Sequence, residues 1–395
     1  MTEVHTGAAA KLIDFELSVE LQEFQQKARR FAQEVVAPQA AASDEQNRFP
    51  SEVIRQAAEL GFLRSAVPQE YGGDDIGNLA NCILLEEINA ACPSTGVTIS
   101  VHNSLACSPL AKWGSDDQKK RYFPRLITGE WIGAYCLSEA EAGSDAAGLR
   151  CEAKRDGDDW ILNGPKLWIT SGAEAGLFIV FARTGEDRTR GISAFLVERG
   201  FEGVGIGKKE RKLGIKASPT VEILLEKVHV PAANLLGSEG QGFPIALDTL
   251  DGGRLGIASQ SLGIARAASD LICDHLASAV DDKGRPASPQ SSQWALADMI
   301  SELDAYRFLT WRAALLRDRG VACGREAAMA KLMASRHANR VARAAVSILG
   351  VAGASGASAA ERHMRDARIT EIYEGTTDIQ RLVIARAEIS RRGSK

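Results

Sequence analysis

Residues 160–170 read WILNGPKLWIT: two short runs rich in β-branched and aromatic residues, separated by Asn163, Gly164 and Pro165. Runs of this kind bounded by turn formers are the signature of strands. The pattern repeats downstream in LFIVFA (177–182), ISAFLVE (192–198) and VEILLE (221–226). Residues from about Trp131 to Gly237 therefore predict an all-β unit, a sandwich or small barrel.

Helical periodicity flanks it on both sides. Upstream, Leu21, Phe24, Ala28, Phe31 and Val35 step by three and four, and Pro38 is expected to close that helix. CILLEEINAAC (82–92) predicts another apolar-faced helix, with more helix from Cys107 to Trp113. Downstream, Leu255, Ala258, Leu262 and Ala265 form one stripe, and Leu296, Met299, Leu303 and Tyr306 a second. Ala328, Leu332, Ser335, Ala338, Ala342, Ala345 and Leu349 form a third, whose small residues permit close helix approach. The expectation is an α+β multidomain fold. After an extension over 1–17 come an N-terminal helical domain (18–130), a central β-barrel or sandwich domain (131–240) and a C-terminal four-helix-bundle domain (241–395).

Composition narrows the function classes. A net charge of −4 over 395 residues gives no electrostatic reason to expect nucleic acid or an anionic membrane. No apolar run approaches the roughly 18 residues needed to cross a bilayer. The N-terminus lacks the layout of a targeting peptide. Seven cysteines scattered without CxxC pairs fit a reducing cytoplasm, and six histidines without ligand spacing argue against a metal site.

Four stretches carry candidate chemistry. YCLSEAEAGSD (135–145) runs from an apolar stretch into Ser138, Glu139, Gly143, Ser144 and Asp145, a polar loop able to grip phosphate or a heteroaromatic edge. KLWITS (166–171) sets Trp168 and Thr170 on one side of an alternating strand, as a stacked, hydrogen-bonding ring would require. LDGGRLGIASQ (250–260) places Asp251 and Arg254 at the start of a long helix, also the spacing of an ordinary ion pair. IYEGTTDIQR (372–381) has Thr377 and Gln380 at capping-box spacing, with Glu374 in the connection before them. The glycine clusters GVGIG (203–207) and GVAGASG (350–356) do not sit between a strand and a helix, so a dinucleotide fold is not indicated.

In this order and at this spacing, YCLSEAEAGSD, NGPKLWITS, KLGIKASPT, LDGGRLGIASQSLGIA and RDARITEIYEGTTDIQRLVIAR resemble the acyl-CoA dehydrogenases, most closely the short-chain (butyryl-type) branch, from Ser18 to Arg392. The resemblance implies an FAD enzyme that oxidises the Cα–Cβ bond of a short- or branched-chain acyl-CoA to trans-2-enoyl-CoA. It also implies a role in fatty acid or branched-chain amino acid catabolism, an electron-transferring flavoprotein as partner and a homotetramer. By position, Glu374 matches the base that removes the α-proton, and hydride passes from Cβ to flavin N5. Tyr135, Cys136, Leu137, Ser138, Gly143, Ser144, Trp168, Ile169, Thr170, Gln290, Thr376, Thr377 and Asp378 match flavin contacts. Ser144, Asp251, Gly252, Gly253, Arg254 and Gly375 match acyl-CoA contacts.

Two segments depart from the family pattern. In SAVDDKGRPASPQ (278–290), the family's arginine for a neighbouring subunit's flavin pyrophosphate is replaced by Val280 or an adjacent aspartate, and its phenylalanine by Lys283. In SILGVAGA (347–354), Ser347, Val351 and Ala354 stand for glutamine, glycine and tyrosine. Several readings stay open. Arg285 or Lys283 substitutes in the flavin grip, or a paralogous partner completes a heteromer. Alternatively, the chain is a flavin-poor partner subunit or acts on carrier-protein thioesters.

Overall fold

The computed structural model describes residues 17–285, 287–356 and 358–393; all but one residue of the expected extension lie outside these. Seven helices come first: α1 (Val19–Phe31), α2 (Ala37–Glu45), α3 (Ser51–Glu59), α4 (Gly77–Ala91), α5 (Pro93–Ser100), α6 (Ser108–Trp113) and α7 (Asp116–Ile127). Eight strands follow: β1 (Ile132–Cys136), β2 (Glu152–Asp156), β3 (Asp159–Thr170), β4 (Ala175–Arg183), β5 (Ile192–Glu198), β6 (Val204–Lys209), β7 (Thr220–Val230) and β8 (Leu235–Leu236). The chain then returns to helix with α8 (Gly242–Ser278), α9 (Gln290–Asp318), α10 (Gly324–Leu349), α11 (Val351–Ala354), α12 (Ala359–Ala367) and α13 (Thr377–Gly393).

The strands form one sheet ordered β6-β7-β3-β2-β4-β5-β8, with β1 pairing in parallel along β4. β4 explains why LFIVFA is apolar at every position. Leu177, Ile179 and Phe181 face a core shared with α7 and α8, whereas Phe178, Val180 and Ala182 face a second core. A strand buried on both faces loses the usual alternation. That second core joins β4 and β5 to Trp160, Leu162, Val221 and Ile223 of β3 and β7, so the sheet curves back on itself.

The three downstream stripes become α8, α9 and α10. Ala258, Leu262 and Ala265 of α8 bury against Ala330, Ala334 and Ala338 of α10, with Met299 and Leu303 of α9 closing the bundle. Two expectations change. Pro38 does not end a helix: a wider, five-residue π-type turn (Ala32–Val36) precedes it, and Pro38 falls in the first turn of α2, where no N–H is needed. Asp251 and Arg254 lie well inside α8, which begins at Gly242.

Candidate active site

Glu374 and Gly375 occupy consecutive left-handed positions (φ 55° and 87°) between a short 3-10 helix (Arg368–Glu371) and α13. Glycine suits the second because side chains rarely adopt that φ, and a Cβ there would also lie 2.7 Å from Gln380 Nε2. Side chains from three helices fix the turn. Lys331 of α10 donates to the Gly375 carbonyl at 2.8 Å. Gln380 of α13 donates to the Gly375 and Glu374 carbonyls at 2.8 and 3.1 Å. Tyr373 donates its hydroxyl to Gln260 of α8. The expected Thr377–Gln380 capping box does not form, because the Gln380 amide is turned to those carbonyls. Thr376 caps α13 instead, accepting from Ile379 N at 3.4 Å, while Thr377 Oγ1 donates to the Glu371 carbonyl.

The Glu374 carboxylate is seated against α8. A Cβ on Gly253 would lie 2.5 Å from Glu374 Oε2, so the glycine makes the seat. Oε2 is cut off from solvent and has no hydrogen-bond partner. Burial pushes the carboxyl up to about 7, against the opposing pull of Arg254 and Lys331. Arg254 is nearly buried and pairs with Asp251 at 2.6 Å, so the ion pair does form; its Nε is left unpartnered. Val97, Val101, Leu105 and Ile215, with Tyr135, Ile369 and Tyr373, form a small apolar cluster at this end of the helices. A carboxylate with one oxygen shut off from solvent and poised near neutrality is equipped to remove a proton.

The loop after β1 is tied to β3. Lys166, fully buried, donates to Glu139 at 2.6 Å and to the Leu137 carbonyl at 3.3 Å. Glu139 also accepts from the Arg150 and Cys151 amides. Burial works against its charge, but Lys166 and these amides outweigh it and hold the carboxyl below its usual range. The Ser138 carbonyl accepts from Leu167 N at 2.9 Å, which aligns this loop with Trp168. Gly143 and Ser144 are exposed at its tip.

Trp168 is 54% exposed, with φ at 56°, at a register break between β3 and β7. Bulges of this kind re-aim a side chain. The indole is thus presented outward, while Thr170 is partly buried. The side chains of Cys136 and Ile169 point into the sheet core, leaving only their backbones for a ligand. Tyr135 packs on Phe181 at 4.9 Å between ring centroids. Beyond Gly252, a cavity of about 270 Å³ is lined by polar groups including Ser65, Asn81, Asn103, Ser104 and Lys112.

Other expected contacts stand apart. Asp378 is exposed and paired with Arg381. Gln290 is exposed at the start of α9. It follows the far end of α8, about 37 Å along that helix from Gly253 at ~1.5 Å per residue. In the same region Arg285 is held by Asp281 at 2.7 Å, and Lys283 is exposed. Val351 is 89% exposed, and the Ser347 hydroxyl donates within its own helix. Among the described residues, no cluster of His, Cys, Asp and Glu could hold a metal ion, and no helix is long and apolar enough to cross a membrane.

Lys331 and the seating role of Gly253 escaped the sequence reading. The signal for Lys331 was a lone cation among Ala327, Ala330, Ala334 and Ala338 on one helix face.

Comparison with known proteins gives three adjoining family matches: "Acyl-CoA dehydrogenase, N-terminal domain" over 18–130, "middle domain" over 134–228 and "C-terminal domain" over 240–389. The mitochondrial short-chain specific acyl-CoA dehydrogenase of Mus musculus is 47% identical across 93% of this chain and 90% of its own length. Butyryl-CoA dehydrogenase from Megasphaera elsdenii superimposes with a TM-score of 0.92 at 38% identity, covering 95% of this chain and 100% of that one. A structure described as the electron transferring flavoprotein of Acidaminococcus fermentans gives 0.92 at 39% identity, covering 95% and 99%.

Proposed function

The chain belongs to the acyl-CoA dehydrogenase family, and from that premise we propose that it desaturates short-chain acyl-CoA thioesters with Glu374 as the base. Its reaction is the FAD-dependent conversion of an acyl-CoA to the enoyl-CoA. The observation that carries the role of Glu374 is its carboxylate, with a solvent-excluded and unpartnered Oε2, on a turn fixed by Lys331, Gln380 and Tyr373.

The residues present fit the cofactor's ring. The outward-aimed Trp168 indole would cover it, with Thr170 and the Ser138 loop at its polar edge and Thr376 approaching from the start of α13. FAD supplies the hydride acceptor when bound. This chain's own task is the proton: Glu374 takes it from Cα, and its backbone amide, held in the left-handed turn, is available to the thioester oxygen. The apolar cluster of Val97, Val101, Leu105 and Ile215 suits a short acyl chain, and the cavity beyond Gly252 a polar arm.

Glu374→Gln tests the assignment. Product formation should fall by about 10²-fold or more, the scale of general base catalysis, with the flavin spectrum unchanged. Turnover close to wild type would remove Glu374 from the role.

A second reading, a subunit that needs a partner to hold flavin, is favoured by the self-paired Arg285 and the exposed Val351. Flavin content of the protein expressed alone separates the two. We assign the electron acceptor to an electron-transferring flavoprotein, supported by the Acidaminococcus similarity. A homotetramer is supported by exposed Trp294 and Ile300 on α9 and by Leu382 and Ile389 on α13. A cytoplasmic location is supported by the free cysteines, six of them buried.

A further inference from the structure

Lys331 is fully buried on a helix face made mostly of alanines, with Ser335 one turn on, where an apolar residue would pack without desolvating a charge. Its hydrogen bond goes to the Gly375 carbonyl, and that carbonyl already accepts from Gln380 at the same 2.8 Å. As a hydrogen bond, then, Lys331 duplicates a neutral neighbour. What it adds is charge.

The charges facing Lys331 are Glu374 and Glu371, with Arg254 opposing from α8. Glu371 has its own cation, Arg368, at 2.5 Å. Glu374 has no such direct partner: Gly253 presents no side chain to it, Arg254 is engaged by Asp251, and Tyr135 and Tyr373 offer it no charge. We propose that Lys331 is a positioning residue for the base: its ammonium, seated beneath the turn, keeps the Glu374 carboxylate ionised and ready to accept a proton. The same group also holds the Gly375 carbonyl, so charge and geometry reach the base through one side chain.

Glu374 is pushed up by burial, with Arg254 and, after it, Lys331 opposing, while Lys331 itself is pushed down by burial to about 8. Removing the ammonium leaves burial less opposed, so the carboxyl must rise further. The inference rests on Glu374 being the base, and the experiment reads the two ideas separately.

The carboxyl of Glu374 is titrated by infrared difference spectroscopy of the holoprotein labelled at glutamate, with the Glu374→Gln spectrum subtracted. Lys331→Met should raise its midpoint by roughly one unit, the lower end of the effect of a close opposite charge. Lys331→Gln, which keeps a donor but no charge, should do the same, and the acid limb of kcat/KM should move up with it. An unmoved midpoint in Lys331→Met overturns the proposal; so does a wild-type midpoint in Lys331→Gln, which would leave only the hydrogen bond. Should the methionine variant not fold, the glutamine variant alone decides. Retained turnover in Glu374→Gln would instead remove the base assignment, leaving the infrared titration still able to report the charge coupling.

Discussion

One absent methyl group shapes the catalytic seat. Gly253 lies within α8, where alanine would be favoured by about 0.5–1 kcal/mol on helix propensity alone. Yet its Cβ would stand 2.5 Å from Glu374 Oε2 and 3.0 Å from the flexible Leu105 Cδ2. Gly253→Ala should therefore separate stability from activity. We expect a thermal midpoint equal to or above wild type and a kcat lowered at least about tenfold, since a misplaced base loses its alignment. Parallel loss of both would mean that the glycine serves packing instead. At this scale the sequence was partly legible. Glu374 announced itself by its neighbours in IYEGTTDIQR, and Arg254 by its spacing from Asp251. Gly253 and Lys331 were not readable in their roles, because each acts on a residue far along the chain that only the folded bundle brings near.

Individual elements show the same limit. The alternation in KLWIT was visible, but not the bulge that turns Trp168 outward, which arises from the pairing of β3 with β7. From sequence Pro38 reads as a stop, because a widened turn before a proline leaves no local mark. The connection before β7 gives a further case. Gly214 approaches α12 so closely that a Cβ would lie 2.3 Å from the Arg365 carbonyl, and Ile215 N donates to Asp366 at 2.5 Å. Ile215 belongs to the apolar cluster near Glu374, so α12 helps to shape the site. Burial pushes Asp366 up to about 7, with Asp44 adding to the rise and Ile215 N, Arg362 and Arg365 opposing it. A folded value above the unfolded one, near 3.9, means that this stabilisation is complete below the unfolded value. It is lost as pH climbs through the folded one. Asp366→Asn keeps the acceptor and removes the titration. Its stability relative to wild type should rise by on the order of 1 kcal/mol or more between about pH 5 and about pH 8, measured by denaturant unfolding. A constant difference across that range would exclude Asp366 as the source.

At the level of the whole molecule, periodicity gave the order of helices, strands and helices, but not how the two helical parts meet. CILLEEINAAC reads as an apolar-faced helix, and nothing local says that Glu86 and Glu87 are buried to 4% and 1% exposure. Their partners lie elsewhere in sequence. Arg29 of α1 and Arg266 of α8 hold Glu87 at 2.9 and 2.7 Å, and Arg307 of α9 holds Glu86 at 2.9 Å. The Arg266–Glu87 contact spans 179 residues and the Arg307–Glu86 contact 221, so the entire β unit is threaded between the partners. A buried ion pair is not a reliable net gain over an apolar pair, but removing one member strands the others. For Glu87, burial opposes the charge while Arg266 and Arg29 outweigh it, holding the carboxyl below its usual range. That contribution is present above the unfolded value, near 4.3, and is lost as pH falls through the lower folded one. Glu87→Gln keeps the shape and leaves Arg266 and Arg29 facing a neutral amide. Near neutrality it should cost on the order of 1–3 kcal/mol, since Arg29 is half-exposed and Arg266 keeps Glu86 at 3.6 Å, with the gap to wild type closing in acid. The chemistry at Glu374 should persist below the melting transition, because α8 reaches Gly253 well before it reaches Arg266. Calorimetry and activity on the same sample test this together. An unchanged midpoint would show that apolar packing of α4 on α8 suffices, whereas lost activity without lost stability would show that the network positions the site itself.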